Sequence, residues 1–136
     1  MLRFYTSKYQ YQGPSRLDVT VKGQDSLGKH FAPTWEMLGA WKSGAISSRE
    51  YTARYYELMR ERYRNDRGPW DELLNKDEAV LVCFEAPEDG FCHRYVLANI
   101  LERLGAMYCG ELNEDGSFWG RVDLAKFHDP NGIENQ

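Results

Sequence analysis

Five residues in one short stretch carry side chains that do chemistry: Cys83, Glu85, Cys92, His93 and Arg94. The first two close a nearly continuous apolar run, Ala79-Val80-Leu81-Val82-Cys83-Phe84-Glu85, which reads as a strand buried on both faces of a sheet. Side chains alternate along a strand, so Cys83 and Glu85 share a face, about 7 Å apart. From Phe91 to Leu104 the residues Val96, Leu97, Ile100, Leu101 and Leu104 form one helical stripe, and Gly105 stands where a C-cap belongs. His93 falls within about 20° of the centre of that stripe and therefore faces the sheet, with Arg94 at one edge and Cys92 at the other. All three occupy the first turn, where free backbone N–H groups and the helix dipole favour an anion. A strand end and a helix start thus converge on a pocket beyond the carboxyl end of the sheet, where open α/β folds bind ligands.

Three uses of this cluster follow from its chemistry. In the first, an enzyme with no cofactor, Arg94 and the helix N-terminus hold the anionic part of a substrate, such as the phosphate of a nucleotide, a nucleic-acid end or a sugar. Glu85 or a cysteine thiolate then acts as base or nucleophile in a hydrolase or transferase, beside Cys83 and His93. Cys92 is the better thiolate, because the dipole, Arg94 and His93 lower its pKa while burial raises that of Cys83; it is expected to be the most reactive thiol. In the second, Cys83, Glu85, Cys92 and His93 surround a zinc ion. Against this, adjacent helical residues point about 100° apart, and structural zinc usually brings a short Cys-x2-4-Cys pair. Substoichiometric zinc is the expectation on that spacing. In the third, the same pocket is a non-catalytic sensor of an anion or nucleotide. The ordinary structural explanation makes both cysteines small core residues, pairs Glu85 with Arg94 and buries His93 as a satisfied core histidine. The clustering of all five weighs against it, since buried ionisable groups are costly unless paired or functional.

The elements that must position these residues are legible in outline. Alternating runs at Leu2 to Ser7 and Leu17 to Lys22 read as strands, separated by a turn at Gln12-Gly13-Pro14-Ser15. Gly23 to Phe31 is polar and Gly-rich and reads as a surface loop able to overhang the site. Pro33 opens a short helix with Trp35, Leu38 and Trp41 on one stripe, ended by Gly44. Ser47-Ser48-Arg49-Glu50 has capping-box spacing, followed by Tyr51, Tyr55, Leu58 and Met59 on the core face of a second helix. Gly68-Pro69 stops it, and Trp70 to Leu74 adds a turn or two. After the motif helix, Met107 to Leu112 and Ser117 to Trp119 pair across Asn113-Glu114-Asp115-Gly116, and the tail from Phe127 reads as frayed. His30 and His128 fall on a loop and on this tail and read as surface residues.

The 136 residues suit one α/β domain, a central sheet with helices packed on it, and 42% hydrophobic with 14% aromatic residues is ample for a core. A formal charge of −4 argues against a nonspecific coat on duplex DNA, though a local basic pocket remains open. No stretch reaches the roughly 18 apolar residues of a membrane helix, and the opening residues lack a secretory core, so a cytoplasmic protein is expected. Three cysteines, none in a Cys-x-x-Cys pair, imply reduced thiols. A serine triad, a P-loop, a Rossmann glycine fingerprint and a His-Glu-x-x-His motif are all absent from the sequence.

Leu81-Val82-Cys83-Phe84-Glu85 followed by Phe91-Cys92-His93-Arg94 resembles the Cys-x-Glu and Cys-His-Arg signature of the YeaO-like family, domain of unknown function 488. The similarity extends back through Phe31-Ala32-Pro33, Gly44-Ala45-Ile46-Ser47 and Glu50-Tyr51 with Tyr55, and covers roughly Leu17 to Glu111. The resemblance implies an α/β fold and the branch that keeps its motif residues and is active; nucleotide or nucleic-acid processing is the expected setting on the charge complementarity of the anion site alone. It supplies no reaction. Tyr5-Thr6-Ser7-Lys8-Tyr9 matches the family's first strand loosely, and Cys109 and the residues after Leu112 have no counterpart there.

Overall fold

The computed structural model describes residues 1–85 and 91–131. Alternation of apolar residues with residues of mixed exposure makes Arg3–Lys8 a strand, β1, with Phe4 and Thr6 on one face and Tyr5 on the other. Strand β2 is only Arg16–Asp18, shorter than the expected Leu17 to Lys22. The reason is local: the Asp18 carboxylate accepts from the backbone N–H and the hydroxyl of Thr20, and this Asx-type turn ends the ladder. Strand β3 is Glu78–Cys83, β4 Met107–Leu112 and β5 Phe118–Gly120. They form one sheet in the order β2-β3-β1-β4-β5, parallel except for the β4/β5 pair.

Helix α1 spans Trp35–Lys42 from the N-cap Thr34, α2 Ser48–Asn65, α3 Gly68–Leu74 and α4 His93–Arg103. The core they share takes Phe4, Ala79, Leu81 and Tyr108 from the sheet and Tyr51, Tyr55, Met59, Trp70, Val96, Leu97 and Leu101 from the helices. The opposite face of the sheet is covered without helices: Val80 and Val82 lie under Tyr11, with Tyr5, Tyr9 and Leu112 packed around them. The α/β fold and the buried β3–α4 unit match the sequence reading. No described helix is long and apolar enough to cross a membrane.

Several expectations are corrected. The Gly23 to Phe31 segment is not simply a surface loop: Gly28–Phe31 forms a 3-10 turn that buries Leu27, Gly28 and Phe31. A Cβ at Gly28 would lie 2.0 Å from the Asp18 carbonyl oxygen, so only glycine permits this approach. Ser47 caps α2 by accepting from the Glu50 N–H, but Glu50 does not complete the box; its carboxylate pairs with Arg54 instead. Leu104 is the C-cap of α4 and 36% exposed, off the packed face. The C-terminal segment is packed through Asp129. A 3-10 turn at Leu124–Phe127 buries Phe127 on α4, and buried Asp129 pairs with Arg60 of α2.

Candidate functional site

Strand β3 ends at Cys83 rather than Glu85, and Phe84 and Glu85 follow in a bend. The bend keeps the carboxylate near the thiol, with the Cys83 sulfur 3.7 Å from Glu85 Oε1. The five residues between Glu85 and Phe91 lie outside the described residues. Cys92 is the N-cap of α4, in extended conformation (φ −161°, ψ 148°), not a residue of its first turn. This removes the 100° divergence expected of two adjacent helical side chains. Cys83 Sγ, Cys92 Sγ and a ring nitrogen of His93 all lie within 4.8 Å of one another, and all three residues are buried.

The orientation of the imidazole is fixed from behind. His93 Nε2 donates to the Val19 carbonyl oxygen at 2.7 Å, just beyond β2, and the Tyr55 ring packs on the imidazole at 5.6 Å. A proton held on Nε2 leaves the Nδ1 lone pair facing the Cys83 sulfur at 3.4 Å. Such a backbone-anchored imidazole is the usual arrangement behind a metal-ligating histidine. It is equally an imidazole placed to take a thiol proton.

The two thiols are pushed in opposite directions. Burial raises the Cys83 thiol well above its ordinary value, and the neighbouring Cys92 sulfur and Glu85 reinforce this. Burial also opposes ionisation of Cys92, but hydrogen bonding with Cys83, the positive charge of Arg94 and hydrogen bonding with His93 outweigh it and hold its thiol well below the ordinary range. Glu85 is raised by burial and by the Cys92 charge, with Lys42, 3.4 Å away, pulling the other way.

Arg94 does not join this group. It is fully buried on the other side of α4, where Nη2 donates to the Tyr95 hydroxyl at 2.8 Å and to Glu111 Oε2 at 3.0 Å. The Tyr95 hydroxyl donates in turn to Glu111 Oε1 at 3.1 Å. The Glu85–Arg94 pair of the ordinary structural explanation is not formed, and two others stand in its place, Glu85–Lys42 and Arg94–Glu111. Arg94 still acts on Cys92 through its charge, but it does not line the cavity.

Glu111 was not singled out by the sequence, and a bulge explains why. Phe4 pairs with Tyr108 but Tyr5 pairs with Gly110, so Cys109 is an extra residue and the alternation of β4 inverts. Glu111 then shares the helix-covered face with Tyr108. Gly110, at φ +128°, is the residue that permits it and the signal that was available.

A cavity of about 300 Å³ opens on the cluster beyond the carboxyl ends of β2 and β3. Cys83, Glu85, Cys92 and His93 line it, with Lys22 and Lys42 and the rings of Trp35, Trp41, Tyr51, Phe84 and Phe91. The Gly23 to Phe31 segment does not reach it. The aromatic residues of α1, which the sequence places on one helical stripe, are wall residues: Met37 is the one buried residue of this helix, and Trp35 is 58% exposed.

No curated protein and no solved structure matches the chain. The family model described as the active DUF488-N3 subclade matches residues 2–105, which include every strand and helix that builds the cluster and both of its motifs. The chain belongs to this active subclade of DUF488, the YeaO-like family.

Proposed function

We propose that Cys83, Cys92 and His93 ligate a zinc ion and that the protein is a small metal-dependent hydrolase. The observation that carries this reading is the convergence of two sulfurs and one ring nitrogen within 4.8 Å, with the other ring nitrogen anchored on a backbone carbonyl. Two thiolates and an imidazole form a donor set known for catalytic zinc, which keeps its fourth position for water. The three residues line the cavity together with Glu85, which stands 3.7 Å from the Cys83 sulfur. Zinc held there would supply a bound water that loses its proton near neutral pH, and Glu85 would be the carboxylate of the lining available to accept it. Arg94 has no contact with substrate in this scheme; it holds positive potential behind Cys92 and favours the thiolate form a metal requires.

Elemental analysis after growth with zinc and exhaustive dialysis tests the reading, together with the thiolate-to-metal absorption of the cobalt-substituted protein. One metal per chain is expected, lost in Cys92→Ser and in His93→Ala. Absence of retained zinc, with cobalt that shows no thiolate absorption, overturns it. A second reading is favoured by the charge distribution around Cys92: a metal-free Cys92 thiolate nucleophile, held in its ionised form by Cys83, Arg94 and His93. Rapid alkylation of Cys92 in native protein incubated with zinc would select that reading over the first.

A further inference from the structure

The cavity wall carries information about what enters it. Trp41, Tyr51 and Phe91 pack on one another with ring centroids 5.2 to 5.6 Å apart, which makes one wall rigid. Trp35 and Phe84 stand at the rim, 58% and 50% exposed, large apolar surfaces left in water at the entrance to a polar centre. Among the described residues, Lys22 and Lys42 are the basic residues of the lining besides His93, and Glu85 is its acid. Lys42 also lies over the Trp41 ring at 5.9 Å, so a charge and an aromatic face are presented together.

We infer that this cavity binds a nucleobase joined to a phosphate, the base against the aromatic wall and the phosphate on Lys22 and Lys42. The inference deepens the reading above and rests on it for the nature of the centre the base approaches. Aromatic side chains hold bases by stacking, which every base offers and which water competes for weakly. About 300 Å³ is at the lower end of ligand cavities and suits one base rather than a folded polymer. Lysines at a rim suit a phosphate that stays partly in solvent, as a mobile point charge does. The anion contact expected of Arg94 therefore passes to residues of two other segments, since Arg94 itself is sealed against Glu111. The same chemistry is offered by a free nucleotide and by the end of a nucleic-acid strand.

Tryptophan quenching and calorimetry on zinc-loaded and metal-stripped protein test the inference with four 5′-monophosphates, their nucleosides, ribose 5-phosphate, decanoate and a short single-stranded oligonucleotide. At least one monophosphate is expected to bind, about tenfold tighter than its nucleoside, with ribose 5-phosphate and decanoate much weaker. Trp35→Ala should weaken that binding roughly tenfold, the order of one lost stacking contact. Lys22→Ala should weaken it and flatten its salt dependence. Tighter binding of the oligonucleotide than of any monophosphate identifies a strand end as the source; the reverse identifies a free nucleotide. The inference is overturned if neither binds, if decanoate or ribose 5-phosphate binds as well, or if Trp35→Ala changes nothing. Nucleotide binding without zinc retention would remove the metal reading alone, and zinc retention without nucleotide binding would remove this inference alone.

Discussion

Two buried polar groups start from three consecutive residues, Cys92, His93 and Arg94, and have opposite characters. The Cys83/Cys92/His93 group has its donor atoms turned toward one another at the wall of a cavity, with no bonded acid of its own beyond the nearby Glu85. The Arg94/Tyr95/Glu111 group is closed, with both charged residues fully buried and joined by hydrogen bonds. The backbone separates them: Cys92 is extended, His93 begins the helix, and one further residue of rotation carries Arg94 to the sheet at β4. The closed group still leaves Arg94 Nε and Nη1 without partners among the described residues, so it is not an optimal stabilising device. What it supplies is a fixed positive charge beside a thiol. A buried cation next to a thiol need not line the cavity to matter there.

The contrast can be broken most sharply at Arg94. Arg94→Met leaves the Glu111 carboxylate buried without its cation, with the Tyr95 hydroxyl still bonded to it, and should cost about 3–5 kcal/mol in urea unfolding. Arg94→Met with Glu111→Leu should recover most of that loss. A single-variant cost below about 1 kcal/mol would mean that the pair is not sealed. The open group should behave differently, with its contribution appearing on metal addition. Free zinc at about 100 times its Kd should raise the unfolding free energy by about 2.7 kcal/mol, and Cys92→Ser or His93→Ala should abolish that gain. If the variants gain as much as the parent protein, the two groups are not distinct in the way argued.

Gly110 sharpens the contrast from the strand side. Its φ of +128° is unfavourable for any L side chain, and a new Cβ would meet the Phe118 ring and the Gly120 carbonyl. Gly110→Ala should therefore cost about 1–3 kcal/mol, disturb the Arg94–Glu111 pair and leave zinc affinity nearly unchanged. The smallest effect is kinetic. Between pH 8 and 6.5 an ordinary thiol with pKa about 8.5 loses roughly 20-fold of its thiolate and of its alkylation rate. Metal-free Cys92 should lose clearly less than that, because Cys83, Arg94 and His93 hold its thiol well below the ordinary range. Mass spectrometry per cysteine reads this directly. Arg94→Met should steepen the dependence, and zinc should suppress the labelling.

The β3–α4 unit was legible in the sequence because both elements are long apolar signals, a continuous run and a 3.6-residue stripe. The convergence of Cys83 with His93 followed from those two patterns alone. The direction of Cys92 did not, since the side chain at an N-cap is set by an extended backbone rather than by helical rotation. Partners remote in the chain were also out of reach. Val19 contributes only a carbonyl, which has no sequence signature, and Lys42 and Glu111 come from other elements. Glu111 was hidden by a one-residue bulge that inverts the strand parity, and Trp35 by a periodicity that is the same for a core stripe and for a cavity wall. Asp129 was hidden in a segment whose Pro, Asn and Gly suggest a loose end, although its carboxylate closes on Arg60.

The place of β1 has a consequence for how the chain acquires its shape. It is the first strand to leave the ribosome among those described, yet it lies in the middle of the sheet with β3 on one side and β4 on the other. Its Thr6 hydroxyl is bonded to Tyr108, 102 residues further along. At roughly 5–20 residues per second its second neighbour is synthesised roughly 5–20 s after it. Until β3 is made Leu2 and Phe4 have no sheet to enter and both edges of the strand are open, and one edge stays open until β4 follows. Pairings this distant close slowly and leave the nascent chain dependent on holding factors. For this protein, the vulnerable period belongs to translation rather than to the finished molecule.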